Sequence, residues 1–172
     1  AEALAEERRR LGGSLWVANL NAPGQAVVAG GPADLEWAGE HAGEHGIRRV
    51  VPLKVAGAFH TPLMAPAADR LQQAVDLVDF APGRFPVWAN ATARPHDPGA
   101  VGATLVAQLT SPVRFAESLQ AMAASGVGLF VHVGPGDVTA GLARRSVEGT
   151  EAIVVSSLAD LEPAVERILV AA

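Results

Sequence analysis

His60 stands in Val55-Ala56-Gly57-Ala58-Phe59-His60-Thr61-Pro62-Leu63-Met64, at the end of an apolar run and just before a proline. A titratable ring among small and apolar side chains is either a packing residue with one satisfied hydrogen bond or the base of an active site. The other four histidines have plainer settings. His41 and His45 lie four apart on an expected helix, a spacing that could offer two imidazoles to one metal ion. No third ligand is in view, and Glu40 and Glu44 fit a solvated helix face equally well. His96 lies in the loop Arg94-Pro95-His96-Asp97-Pro98-Gly99 and is expected in solvent. His132, between Val131 and Val133, is expected to be a satisfied core histidine. Gly134-Pro135-Gly136, between an expected strand and helix, could bind an anion or simply make a tight turn; it lacks the lysine of a P-loop and the third glycine of a dinucleotide site.

A base needs a nucleophile. Serine is exposed for attack on a strained strand-to-helix elbow, usually G-x-S-x-G. Ser14 precedes an expected strand instead of following one, and Ser111, Ser118, Ser125, Ser146, Ser156 and Ser157 have no such setting. Cysteine is absent, which excludes disulfides, thiolate zinc sites and cysteine nucleophiles together. No cofactor is called for.

Alternating strands and helices must position these residues. Leu15 to Leu20 and Gln25 to Ala29 read as two strands around the turn Asn21-Ala22-Pro23-Gly24, and a helix is expected from Pro32 to Glu44. Ile47 to Val55 is expected as a third strand, at an edge or broken by Pro52. This β-β-α-β order points to a small α+β unit, whose fourth element in a ferredoxin-like arrangement would come from elsewhere. Leu63 to Val78 has one apolar helical face. Pro86 to Asn90 is a short strand, and Ala100 to Leu109 and Val113 to Ala124 are helices split by Ser111-Pro112. Val127 to Val133 is a continuous apolar run, expected to be a fully buried parallel strand. Helices are expected from Val138 to Arg145 and Leu158 to Leu169, with a strand from Ala152 to Val155 between them. The class is α/β with a parallel sheet.

The 172 residues are 49% apolar and 18% charged, with net charge −5, which suits one globular domain with a real core. Apart from Arg8-Arg9-Arg10 there is no basic block, so nucleic acid is not an expected partner. The longest uncharged stretch, Leu11 to Ala33, carries Asn19, Asn21, Gln25, prolines and repeated glycine, and does not read as a membrane span. No cationic segment followed by an apolar one marks a signal peptide, so a cytoplasmic address is the default expectation. The chain opens inside a helix that Gly12-Gly13 stops, without an initiator methionine, as a piece of a longer protein would.

These residues are specific enough to resemble a family. Val50 to Leu71, "VVPLKVAGAFHTPLMAPAADRL", is similar to the segment carrying the catalytic histidine in malonyl-CoA:acyl-carrier-protein transacylases and polyketide synthase acyltransferase domains. Val17 to Gly30, Val106 to Val127 and Phe130 to Arg145 resemble further family segments in the same order. The resemblance implies an acyltransferase fold, in which a ferredoxin-like small subdomain is inserted into an α/β-hydrolase-like large one. Residues 1–14 are then the end of an upstream helix and a linker, 15–56 the small subdomain, and 57–172 the C-terminal part of the large subdomain.

It also implies that His60 is the general base and that the main-chain carbonyl of Gln108 orients its ring. Phe59 stands where phenylalanine goes with malonyl and serine with methylmalonyl, because a benzyl group leaves no room for an α-methyl. Gly57, where synthase modules usually carry histidine, points to the stand-alone enzyme. The implied partners are malonyl-CoA, a phosphopantetheinylated acyl carrier protein and the N-terminal part of the same enzyme. The family's G-H-S-x-G elbow, its malonyl-binding arginine and its oxyanion-hole segment have no counterpart in these residues. The competing class is a non-catalytic descendant that binds a carrier protein or another partner. Because the chain alone has no nucleophile, malonyl transfer by it is expected at background. Labelled malonyl-CoA leaving a stable adduct on it would overturn the fragment reading.

Overall fold

The computed structural model describes residues 1–171. It opens with helix α1 (Glu2–Arg10), whose only buried residues, Leu4 and Ala5, press one side of the helix onto the strand that follows. Strands β1 (Leu15–Ala22) and β2 (Gln25–Gly30) form an antiparallel hairpin paired from Leu15↔Gly30 to Ala22↔Gln25. Its turn places Pro23 before Gly24 at φ 74, the order a type II turn requires. That turn matches strand twist poorly, and the ladder adjusts by register shifts at Val17/Asn19 and Leu20/Ala22. In consequence β1 departs from strict alternation and buries Leu15, Ala18 and Ala22.

Helix α2 (Pro32–His41) starts on a proline and continues into a 3₁₀ turn, Ala42–His45, closed by Gly46 at φ 70. Leu4, Ala5, Leu15 and Ala38 form one core, edged by Val17, Val28, Trp37 and Ile47. The helix at the start of the chain thus packs with the hairpin. Beside this core, Arg8 donates from Nε to Asp34 at 2.7 Å and lays its guanidinium over the Trp37 ring.

The third strand expected over Ile47 to Val55 does not form. Only Ile47 reaches the core; Val50, Val51, Leu53 and Val55 are exposed. An extended segment becomes a strand by exchanging main-chain hydrogen bonds with a neighbour. No described strand lies beside this one, and Pro52 has no N–H to offer.

After a 3₁₀ turn (Pro62–Met64) comes α3 (Ala65–Val75), shorter than the helix expected to Val78. The strand expected over Pro86 to Asn90 is reduced to β3 (Trp88–Ala89), paired with β4 (Arg94–Pro95). Helices α4 (Val101–Gln108) and α5 (Phe115–Ala124) flank the Ser111-Pro112 break. Strands β5 (Leu129–Val133) and β6 (Glu151–Val155) pair in parallel through α6 (Val138–Ser146), and α7 (Leu161–Ala171) ends the described chain. The parallel pairing is as expected, but the full burial is not: Val133 is 77% exposed, because no described element covers that end of β5. The second core gathers Ala22, Leu119, Ala140, Leu142, Ala143 and Ala152. β1 therefore contributes one end to each core. Among the described residues no helix is long and apolar enough to cross a membrane.

Burial raises the Asp34 carboxyl's proton affinity, but the Arg8 hydrogen bond and the Ser14 and Gly31 main-chain groups outweigh it, so its pKa lies below the ordinary value. The unfolded chain then takes up the proton first, and this contribution is lost as pH falls from about 4 through the lower folded value. Asp34→Asn is expected to be less stable near neutrality and to lose less stability on acidification than the parent. Urea midpoints between about pH 6 and 3 should therefore converge; parallel curves would show that the pair is inert.

Candidate active site

His60 lies in the turn that carries the chain from the irregular segment into α3. Among the described residues it is one of two non-glycine residues with positive φ, at 64°. Such a conformation costs a side-chain-bearing residue on the order of 1–3 kcal/mol and persists only where the surroundings impose it. Here they do so from the far end of α4. The last carbonyls of a helix have no donor in a following turn; two of them, on Gln108 and Leu109, point at His60. The His60 main-chain N–H donates to Leu109 at 3.1 Å. The ring Nδ1 lies 2.9 Å from the Gln108 oxygen.

Gln108 also brings its side-chain amide near the ring, with Nε2 at 3.3 Å from Nδ1 and 3.0 Å from the Ser111 carbonyl. Nδ1 cannot accept from that amide while donating to the carbonyl. The carbonyl is nearer and can only accept, so Nδ1 carries the proton and the Gln108 amide donates to Ser111. Nε2 of His60 is then the free lone pair of the ring. The structure brings His60 and Gln108 together across 48 residues of sequence.

Helix packing sets their separation. A methyl group on Gly102 would stand 2.6 Å from Val75 Cγ1 and 3.3 Å from the Phe80 ring, so only glycine allows this approach. Val75 ends α3 and Gly102 opens α4, so the helices run antiparallel and the entry to α3 meets the exit of α4. Beyond Gln108, Val113 bonds to β1 on both sides: its N–H donates to Ala18 and its carbonyl accepts from Leu20, each at 2.8 Å. Segment 108–113 is thus anchored at one end to His60 and at the other to the hairpin.

Phe59 is 43% exposed. Its ring and the Met64 sulfur flank Gly57, both about van der Waals distance from where a Gly57 side chain would begin. The Phe59 side chain, directly before His60 in the chain, is thus partly open to solvent and backed by Met64 across Gly57. Sequence reasoning passed over Thr61, which caps the following turn and is fully buried. Threonine directly before proline was the available sign, since that pair marks a helix start.

The remaining candidates lie elsewhere. His41 stacks on Trp37 with ring centres 4.3 Å apart, and its Nδ1 meets the Trp37 carbonyl. His45 instead pairs with Glu7 at 2.8 Å, so the two rings do not converge. His96, expected in solvent, is half-buried because β3 and β4 fold its loop back: its N–H donates to Val87 and its Nδ1 is shielded without a partner. His132 is also half-buried. Thr139 satisfies its Nδ1, but Nε2 has no partner, so the ring is satisfied on one side only. Gly134 and Gly136 take positive φ, and Gly134 donates to Val155 at 3.0 Å, which makes the Gly-Pro-Gly segment a turn tying β5 to β6. Ser118 and Ser125 donate to carbonyls of their own helix, and Ser156 and Ser157 bond to Asp160. Among the described residues no serine hydroxyl bonds to His60.

The fold and the histidine–carbonyl pair define an α/β protein with a ring held in one tautomer and one nitrogen left to accept a proton. The family model of the acyl transferase domain matches residues 1–168. The chain belongs to that family. It is 38% identical over 172 residues to the malonyl CoA-acyl carrier protein transacylase of Bacillus subtilis, covering 98% of this chain and 54% of that protein. The enzyme of the same name from Haemophilus influenzae is 38% identical over 153 residues, covering 88% and 49%. Among solved structures, FabD from Acinetobacter baumannii superposes with TM-score 0.92 at 30% identity, covering 99% of this chain and 55% of that one. A type II PKS acyl-carrier protein in complex with its malonyl-transacylase matches with TM-score 0.91 at 34% identity, covering 96% and 54%. The expected fold class, α/β of the acyltransferase type, is the fold of these structures. The chain spans about half the length of the curated relatives it matches.

Proposed function

We propose that this chain is the C-terminal portion of a malonyl-CoA:acyl-carrier-protein acyltransferase, working in the cytoplasm in fatty-acid or polyketide synthesis. The observation that carries the reading is the His60 ring, with Nδ1–H on the Gln108 carbonyl and Nε2 left as a proton acceptor. The serine nucleophile belongs to the remainder of the enzyme, outside these residues.

His60 Nε2 takes the serine proton as the hydroxyl oxygen attacks the thioester carbonyl of malonyl-CoA. Collapse of the tetrahedral adduct breaks the C–S bond, and the imidazolium returns the proton to the departing coenzyme A sulfur. In the second half-reaction the ring takes the proton of the carrier's phosphopantetheine thiol, whose sulfur attacks the acyl-serine ester. The serine oxygen leaves and recovers that proton, which completes a ping-pong transfer. Gln108 does by a main-chain carbonyl what an aspartate does in a serine triad, holding one tautomer and one ring orientation. A carbonyl at the negative end of α4 also favours the charge the ring acquires in each step.

Phe59 would border the α-carbon of the acyl group and exclude an α-methyl. The apolar setting of Phe59 and Met64 limits water, which would otherwise hydrolyse the ester. Malonyl-CoA and a phosphopantetheinylated carrier protein are the substrates, and no other cofactor is required. The exposed apolar residues of 50–55 and of β5 are faces that the rest of the enzyme would cover, with residues 15–56 as the small subdomain and 57 onward as part of the large one.

The test is an enzyme joined from this chain and the portion of the Bacillus subtilis relative that it does not cover. In it His60→Ala should lower malonyl transfer by about 10² to 10⁴, the range for removing a general base, with the circular dichroism spectrum unchanged. Full activity with a lowered melting temperature would make His60 structural.

In the same enzyme Phe59→Ser should relax discrimination against methylmalonyl-CoA. A methyl group in an apolar pocket is worth roughly 1–3 kcal/mol, a shift in relative kcat/KM of about 10- to 200-fold, with the lower end expected. Competition between the two acyl-CoA substrates measures it; an unchanged product ratio at retained activity would place selectivity elsewhere.

A further inference from the structure

His60 is held from outside by the carbonyls of Gln108 and Leu109, but its left-handed backbone also needs a restraint within the turn. Thr61 is placed to supply one. It is fully buried, with 0% exposure, although helix-capping threonines ordinarily sit at the surface. Its Oγ1 donates to the Ala58 carbonyl at 2.6 Å and accepts from the Leu63 N–H at 3.3 Å. The first bond closes a loop over Phe59 and His60, and the second fixes the start of the turn that leads into α3. Ala58 and Leu63 lie on opposite sides of His60 in the chain, so one hydroxyl spans the residue with positive φ. Were His60 to relax to the ordinary helical or extended region, the rotation about N–Cα would swing the ring off the Gln108 carbonyl and break the main-chain bond to Leu109.

We propose that Thr61 is a positioning residue, whose buried hydroxyl bridges Ala58 and Leu63 and so keeps His60 Nδ1–H on Gln108 and Nε2 free. Its importance to function rests on the reading of His60 as the base; its geometry does not. Isotropic bulk at position 61 would not replace it, because what spans the turn is the donor and acceptor of one oxygen.

The experiment uses the 172-residue chain with ¹⁵N-labelled histidine. Long-range ¹H–¹⁵N correlations read the tautomer of each ring, and the His60 signals are identified by their loss in His60→Ala. The parent should show His60 in the Nδ1–H form. Thr61→Val keeps the volume and removes the hydroxyl with both of its hydrogen bonds; it should lower the Nδ1–H to Nε2–H ratio by roughly fivefold or more. Thr61→Ser should restore the parent ratio. Leu119→Ala, which opens a cavity in the second core, should lower the melting temperature without moving the His60 signals. If Thr61→Val does not fold, Thr61→Ala carries the same expectation.

An unchanged ratio in the hydroxyl-free variant overturns the proposal. So does a Thr61→Ser variant that behaves like Thr61→Val, since the methyl group would then matter and not the oxygen. Failure here leaves the base assignment standing, because that is decided by the activity of His60→Ala and not by the tautomer at Thr61 variants.

Discussion

Two carbonyls at the end of α4, which no helical donor can satisfy, are met by one residue from 48 positions earlier in the chain. The rest of the arrangement depends on this contact. It satisfies polar groups that helix geometry leaves unpaired, imposes a left-handed backbone on His60 and selects the ring's tautomer. A small number of hydrogen bonds thus serves helix termination and site geometry at once. Neither function could be altered without disturbing the other.

The contact is held by the two cores through β1. Leu15 lies in the core shared with α1 and α2, and Ala22 in the core shared with α5, α6 and β6. Between them the strand receives Val113, which continues the segment begun by Gln108. The Ala18 carbonyl and the Leu20 N–H, which flank Asn19, lie on the edge of β1 away from β2 and are open to Val113. The register shifts on either side adjust the hairpin ladder. Buried alanines are most of the second core and half of the first. They bury little area each but let helices approach closely, and Gly102 extends the same principle to the α3–α4 contact.

The site's electrostatics come mostly from dipoles. The ion pairs lie elsewhere: Arg8–Asp34 beside the first core, Arg114–Glu117 at the start of α5, and Arg167–Glu151 joining α7 to β6. Their carboxylates are held below the usual range; a hydrogen bond from arginine is the largest influence on Glu117 and Glu151, whereas at Asp34 the arginine must first offset burial. They stitch elements together and leave the neighbourhood of His60 to main-chain groups. That suits a ring whose proton must come and go, because a carbonyl orients it without itself changing protonation state.

The amino-acid sequence by itself determined most of the elements. Their apolar periods, the Pro23-Gly24 turn, the proline opening α2 and the Gly-Pro-Gly turn are local features, each within reach of a few residues. The resemblance carried by Val50 to Leu71 and Val106 to Val127 singled out His60, Gln108 and Phe59. What tertiary structure alone decided was whatever needs a neighbour. Ile47 to Val55 has the composition of a strand and is none, because main-chain pairing is a property of two segments. Val127 to Val133 has the composition of a buried strand, yet Val133 is exposed, because burial is conferred by what lies above a residue. The positive φ of His60, the burial of Thr61 and the choice of Nδ1 as donor follow from carbonyls and hydroxyls that converge only after folding. Sequence records the groups a residue carries; their hydrogen-bond partners are assigned by the packing of α4 against α3.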